Sequence, residues 1–345
     1  MYSFLNDYSE GAHPRVLAMM NEYNLEQNRG YGQDIHCERA KEYIKNLIHR
    51  DDVDIHFIPG GTQANMISIS AFLRPHQCVI SADTGHIYVH ETGAIEATGH
   101  KVFPVASEDG KLKAKDVINV LDLHGNDEHM VQPKMVYISN STELGTIYTK
   151  DELESLYNVC KENGLILFLD GARLGSALMS SKNDLSMEDL PNLCDAFYIG
   201  GTKNGALLGE ALVIVKEELK EDFRYLIKQK GAMLAKGFIM GIQFEALFKD
   251  KLYFELAKHA NQMSKKIADV LEVEGYELLQ EACSNQLFLK LSNRILKEMD
   301  KEFLYVVNGK VDEEYTSIRL VTSWATTEES VNALVNFFKR AKSLL

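Results

Sequence analysis

A chain of 345 residues is long enough to bury a large core and to divide into a larger and a smaller unit, so a small stapled scaffold is excluded. With 45% hydrophobic and 25% charged residues the composition is that of an ordinary globular protein, and no apolar run reaches the roughly 20 residues of a membrane helix. A formal charge of -13 argues against a nucleic-acid partner, since phosphate affinity comes from Lys and Arg. The first eleven residues carry Asn6, Asp7 and Glu10 without a basic start or an apolar stretch, so a cytoplasmic rather than secreted protein is expected. Five cysteines at 37, 78, 160, 194 and 283 form no CxxC pair and read as free thiols, and no metal site is expected.

In chain order, a stripe of Ala40, Tyr43, Ile44, Leu47 and Ile48 predicts an amphipathic helix. Short apolar strands follow at 55–58, 78–81, 101–105, 135–139, 165–169, 196–199 and 212–215, several of them apolar on both faces as covered parallel strands should be. Between them, Thr149 and Glu152 form a capping box ahead of Leu153, Leu156, Tyr157 and Cys160. Alternation of this kind predicts an α/β fold with a mostly parallel sheet. From about residue 246 the pattern changes. A long helix carrying Met263, Ile267, Val270 and Leu271 precedes strands at 286–291 and 317–322, and Thr326 with Glu329 reads as a capping box for a last helix. The expected division is a large unit at 15–245 and a smaller α+β unit at 246–345, with residues 1–14 near the active site.

Polar residues gather where the strands end, the edge at which doubly wound sheets bind ligands. Gly60-Gly61-Thr62 opens a helix over 62–73 and offers backbone amides to an anion such as phosphate; a plain turn with Thr62 as N-cap is the simpler alternative. His86 follows the strand at 78–81 and is placed to stack on a flat ring or carry a proton. Asp170 ends a strongly apolar strand, where a carboxylate needs a cation: a protonated pyridine nitrogen, or Arg173 nearby. Lys203, within Gly200-Gly201-Thr202-Lys203-Asn204-Gly205, is the kind of desolvated amine that forms imines, and the nucleotide-loop spacing GxxxxGK is absent. Phosphate cradle, ring-stacking His, strand-end Asp and loop Lys in this order form a pyridoxal 5'-phosphate (PLP) constellation.

Together with Asn6-Asp7, Glu10 to Pro14, Tyr31 to Asp34, Gly60 to Asn65, His86-Ile87-Tyr88, Asp170 to Arg173, Thr202-Lys203 and Ile318 to Thr322, these residues resemble the threonine aldolase and aromatic amino-acid β-eliminating lyase family, within which the low-specificity L-threonine aldolases are most similar. The resemblance implies the type I PLP fold, like that of aminotransferases, with a seven-stranded large-domain sheet. It implies that Lys203 carries the cofactor as a Schiff base, that Asp170 holds the pyridine nitrogen and that His86 stacks on the ring. Gly61 and Thr62 would hold the phosphate, with Tyr31 and Lys228 contributing across a subunit interface of a homodimer or homotetramer. Arg173 and Arg319 would take the substrate carboxylate, with Asn6 beside them. The implied reaction is retro-aldol cleavage of L-threonine or L-allo-threonine to glycine and an aldehyde, with His86 or Glu143 as base. Other PLP-dependent lyase, aminotransferase or racemase chemistry, or a non-catalytic ligand-binding role, stays open at this point. Two departures stand out: Glu143 lies in Ser141 to Gly145 where many relatives have a His, and Thr322-Ser323-Trp324 replaces a Thr-His pair.

Overall fold

The computed structural model describes residues 1–342. A two-residue strand, β1 (Tyr2–Ser3), precedes helices Pro14–Glu22 and Ile35–Ile48. β2 (Asp54–Ile58), β3 (Gln77–Ala82), β4 (Lys101–Val105), β5 (Gln132–Ser139), β6 (Ile166–Asp170), β7 (Ala196–Gly200) and β8 (Glu210–Ile214) then form one sheet, ordered β2-β8-β7-β6-β5-β3-β4. All neighbours are parallel except those of β8, which runs against both β2 and β7. Strands that run the same way need a crossover, and helices Gly61–Phe72 (β2 to β3), Ala114–His124 (β4 to β5) and Lys150–Glu162 (β5 to β6) supply three of them, the last between sheet neighbours. Only a loop joins β7 to β8, which is why β8 returns in the opposite sense. Every residue of β6, β7 and β8 is buried, the consequence of helices on both faces and the reason these strands lack polar alternation.

β9 (Glu277–Leu278), β10 (Gln286–Ser292), β12 (Val306–Lys310) and β13 (Tyr315–Val321) form a separate antiparallel sheet, ordered β12-β13-β10-β9, while β11 (Phe303–Leu304) pairs with β1. Helices Leu252–Glu274 and Glu328–Ala341 cover it, with Met263, Ile267, Leu289, Ile318 and Leu334 in the shared core. The helix Leu252–Glu274 belongs to two cores: Leu252, Tyr253 and Leu256 pack under the large sheet, and Met263, Ile267 and Leu271 under the small one. The N-terminus also bridges them. Phe4 is buried in the small core, whereas the His13 amide donates to the Gly205 carbonyl in the loop after β7.

Several local expectations shift. Thr149 and Glu152 do make the capping box. The last helix instead starts at Thr327, whose side chain accepts from the Ser330 amide; the Thr326 hydroxyl accepts from the Ser323 amide and tightens the preceding turn. Likewise Gly60, not Thr62, is the N-cap of Gly61–Phe72, and no side chain caps that end. The strand expected at 212–215 begins at Glu210, which brings a carboxylate into the sheet. Among the described residues no helix is long and apolar enough to cross a membrane.

Candidate active site

Because β8 is reversed, its first residue lies at the edge where the parallel strands end: Glu210 is opposite both Gly200 of β7 and Ile58 of β2. Ser139 and Asp170 are likewise opposed at the ends of β5 and β6. Chain segments 200 and 171 approach closely here. The Gly200 amide donates to the Gly171 carbonyl at 2.9 Å, and a Cβ at Gly171 would stand 1.8 Å from the Tyr198 carbonyl oxygen, so only glycine fits. This edge opens into a cavity of about 570 Å³ lined by residues of the Gly60–Thr62 turn, by His86, Glu143, Asp170, Arg173, Lys203 and Glu210, and by Arg319 from the small sheet.

Asp170 is buried and well supplied with donors. Its Oδ2 accepts from Tyr137 Oη at 2.6 Å and Asn65 Nδ2 at 3.1 Å, and its Oδ1 accepts from the Ala172 amide at 2.9 Å. Burial raises its pKa, but the His86 charge and these hydrogen bonds, with one from Tyr198, outweigh it and keep the carboxyl below its ordinary value. A permanent anion therefore faces the cavity floor. Arg173 does not pair with Asp170: its Nε and Nη2 grip Asp7 at 2.7 and 3.1 Å, and Asn285 Nδ2 also donates to Asp7 at 2.9 Å. The grip on Asp7 engages two of the five N–H donors of Arg173 and leaves Nη1 among those free for a ligand.

The Lys203 amine makes no hydrogen bond or ion pair with the described residues, and burial and the Arg173 charge depress its pKa against the pull of Asp7, Asp170 and Glu210. A lowered amine is the form that attacks a carbonyl. Glu210 Oε1 accepts from Thr202 Oγ1 at 2.8 Å and its Oε2 from the Gly201 amide at 3.0 Å, while burial pushes the carboxyl up to about 7. Burial also raises Glu143, whose Oε1 accepts from Ser139 Oγ at 2.7 Å and the His86 amide at 3.0 Å. Among the described residues, Arg319 has its Nε buried without a partner and only a long 3.4 Å contact from Nη1 to Gln286.

The Glu210 position carries a stability consequence. Its carboxyl binds a proton more tightly folded than unfolded, so its contribution is full below the ordinary range and is lost as pH rises to about 7. Glu210→Gln keeps one acceptor for the Gly201 amide and lacks the ionisation. In the cofactor-free protein it should match wild type at pH 4.5 and exceed it by about 3 kcal/mol at pH 8 in urea unfolding. A pH-independent difference would show that Glu210 is not held protonated.

Not every residue singled out from sequence reaches the cavity. The Asn6 side-chain oxygen is spent on the Tyr8 amide and Ser9 hydroxyl, and Tyr8 lines the cavity instead. Tyr31 and Lys228 lie together outside it, the Lys228 ammonium 4.8 Å over the Tyr31 ring. Sequence reading missed Asn65, Glu91, Tyr137, Tyr198 and Glu210. Of these, Asn65 lay within the Gly60 to Asn65 motif without being given a role, and Glu210 left a mark as a lone carboxylate directly before an apolar strand.

The residues fit PLP. The uncapped helix start at Gly61 presents free amides to a phosphate, Lys203 has an unengaged amine, Asp170 is an anion held for a cation, and Arg319 Nε lacks an anion. Comparison with known proteins agrees. The sequence pattern of the beta-eliminating lyases matches residues 4–294. A low specificity L-threonine aldolase of Pseudomonas aeruginosa is 31% identical over 341 residues, covering 96% of this chain and 95% of the relative. The solved structure of a Leishmania major threonine aldolase superposes with a TM-score of 0.98 at 50% identity, covering 99% and 100% of the two chains. A Thermus thermophilus aspartate aminotransferase shares the fold, with a TM-score of 0.73 at 14% identity over 99% and 91%.

Proposed function

The chain belongs to the beta-eliminating lyase family, and from that premise we propose that it is a PLP-dependent lyase cleaving L-threonine, L-allo-threonine or related β-hydroxy-α-amino acids to glycine and an aldehyde. The observation that carries this reading is the cavity in which an unengaged amine, a held carboxylate, an imidazole and a guanidinium with a free Nε converge. PLP, when bound, supplies an electron sink for the charge left at Cα when a bond to it breaks.

In this reading Lys203 holds the cofactor through its amine, and Asp170 keeps the ring nitrogen protonated. Gly61 and Thr62 would take the phosphate, and His86 would stack on the ring. Arg319, with Nη1 of Arg173, binds the substrate carboxylate, a planar anion suited to guanidinium. His86 Nε2 accepts the β-hydroxyl proton, with Glu143 as the alternative acceptor. Residues 15–245 serve as the cofactor-binding unit and 246–345 as the smaller one carrying Arg319, with the N-terminal segment beside the site through Asp7. Support for that division is that the small antiparallel sheet lies wholly beyond residue 246. The chain works as a homodimer or homotetramer in the cytoplasm; exposed Tyr31 with Lys228 outside the cavity and five free cysteines support this.

Arg319→Met should raise the KM for the amino acid by roughly 10- to 150-fold with a smaller change in kcat, because a hydrogen bond to a charged group contributes about 1.5–3 kcal/mol. Steady-state kinetics of the PLP-loaded variant measures this, and an unchanged KM would remove Arg319 from carboxylate binding. The function itself is tested by incubating PLP-loaded protein with L-threonine and L-allo-threonine and quantifying products. Equimolar glycine and acetaldehyde is the expected result. Keto acid with ammonia would overturn it in favour of elimination, and keto acid without ammonia in favour of transamination.

A further inference from the structure

His86 stands at the start of a one-turn helix, His86–Val89, and the bend that follows returns Glu91 beneath it. Glu91 Oε1 lies 2.8 Å from His86 Nδ1 and also accepts from Asn65 Nδ2 at 2.7 Å. The same Asn65 nitrogen donates to Asp170 Oδ2 at 3.1 Å. One amide thus links the carboxylate under the imidazole to the carboxylate at the end of β6.

The arrangement is expensive as mere structure. The Glu91 side chain is fully buried with Oε2 unpartnered, and Asn65 Oδ1 is buried and unpartnered as well. A half-satisfied polar network costs more than an apolar core would, so packing alone does not account for it. Its geometry does restrict the imidazole. A carboxylate only accepts, so a hydrogen bond at Nδ1 requires the proton on Nδ1. In the neutral imidazole the second ring nitrogen is then the bare one. Among the described residues Nε2 of His86 has no hydrogen-bond partner, and the side chain is 34% exposed on the cavity side. Neither neighbour competes for Nδ1: the His90 ring is 5.5 Å away and tilted, and Glu143 takes the His86 backbone N–H.

We propose that Glu91, steadied by Asn65, is a positioning residue that holds His86 in the Nδ1-protonated tautomer and so turns the Nε2 lone pair toward the substrate hydroxyl. This rests on the reading of His86 as the proton acceptor in threonine cleavage. It adds an orienting carboxylate behind that base, the logic by which a third group aims an imidazole in other hydrolytic and lyase sites.

The test is long-range proton–nitrogen NMR of the PLP-loaded enzyme labelled at histidine, with the His86 signals identified by their absence in His86→Asn. Wild type should show a protonated Nδ1 and a bare Nε2. Glu91→Gln, which keeps an acceptor, should hold that tautomer and most of the activity. Glu91→Leu, which has none, should release the ring to its Nε2-protonated form and lower kcat about 10²-fold, within the usual range for a general base, with little change in KM. An Nε2-protonated His86 in the wild type would overturn the proposal without any variant, as would a folded Glu91→Leu enzyme that keeps either the tautomer or the wild-type kcat. Because the wild-type spectrum does not depend on turnover, failure to cleave threonine would sink the functional reading and leave the spectrum to decide the role of Glu91.

Discussion

Lys203→Ala is expected to lose turnover by on the order of 10⁴-fold or more, the scale on which removal of a covalent catalyst acts. The loss follows from what the amine is made to do. Its surroundings hold it half-buried, depressed by desolvation and by Arg173, and without a hydrogen-bond partner among the described residues, so its nucleophilicity is not spent on the protein. Alanine removes that nucleophile but leaves the Gly61–Thr62 helix start and Asp170 in place, so PLP should still bind, though without covalent attachment. Borohydride reduction followed by peptide mass analysis checks this: the peptide carrying residue 203 gains a phosphopyridoxyl group in wild type and not in the variant. Retention of kcat within tenfold would show that another amine does the work.

Asp170→Asn is the second large effect. The substitution keeps the side-chain shape and one acceptor oxygen, which serves either Tyr137 Oη or the Ala172 amide but not both, a loss of about one hydrogen bond that the fold should survive. What it removes is the charge. A buried cation left without its partner costs about 3–5 kcal/mol, which corresponds to roughly 10²- to 10⁴-fold in kcat if the ring nitrogen loses its proton. The variant should also release cofactor more readily, measured by dialysis and absorbance. A variant with wild-type kcat would mean that the ring nitrogen needs no anion here and that Asp170 serves only to anchor Tyr137 and Asn65.

Much of the fold was legible because it rests on local periodicity. Both-face apolar runs mark strands covered by helices, and the Thr149 capping box marks the helix between β5 and β6. Strand ends moved by one to three residues where polar positions join a ladder, as Glu210 does against Gly200 and Ile58. The last helix begins one residue later than the Thr326 pattern indicates, since both Thr326 and Thr327 are able to cap and only the turn around Ser323 decides which one does.

In the site, Asp170, Lys203 and His86 were legible as candidates, and the structure brings all three to one cavity. Each stands at the end of an apolar strand or within four residues of it, where a charge or an imidazole is costly to bury. Tertiary structure alone decided the partners. Arg173, three residues from Asp170, is held by Asp7 from 166 positions away, which keeps Asp170 free of it. Asn65 joins Glu91 to Asp170 across 105 positions, and Arg319 reaches the cavity from a different sheet. Hydrogen bonds act over about 3 Å of space, not along the chain. Which donor meets which carboxylate is therefore set by how β5, β6 and the small sheet pack, and local sequence records only the cost of burying each group.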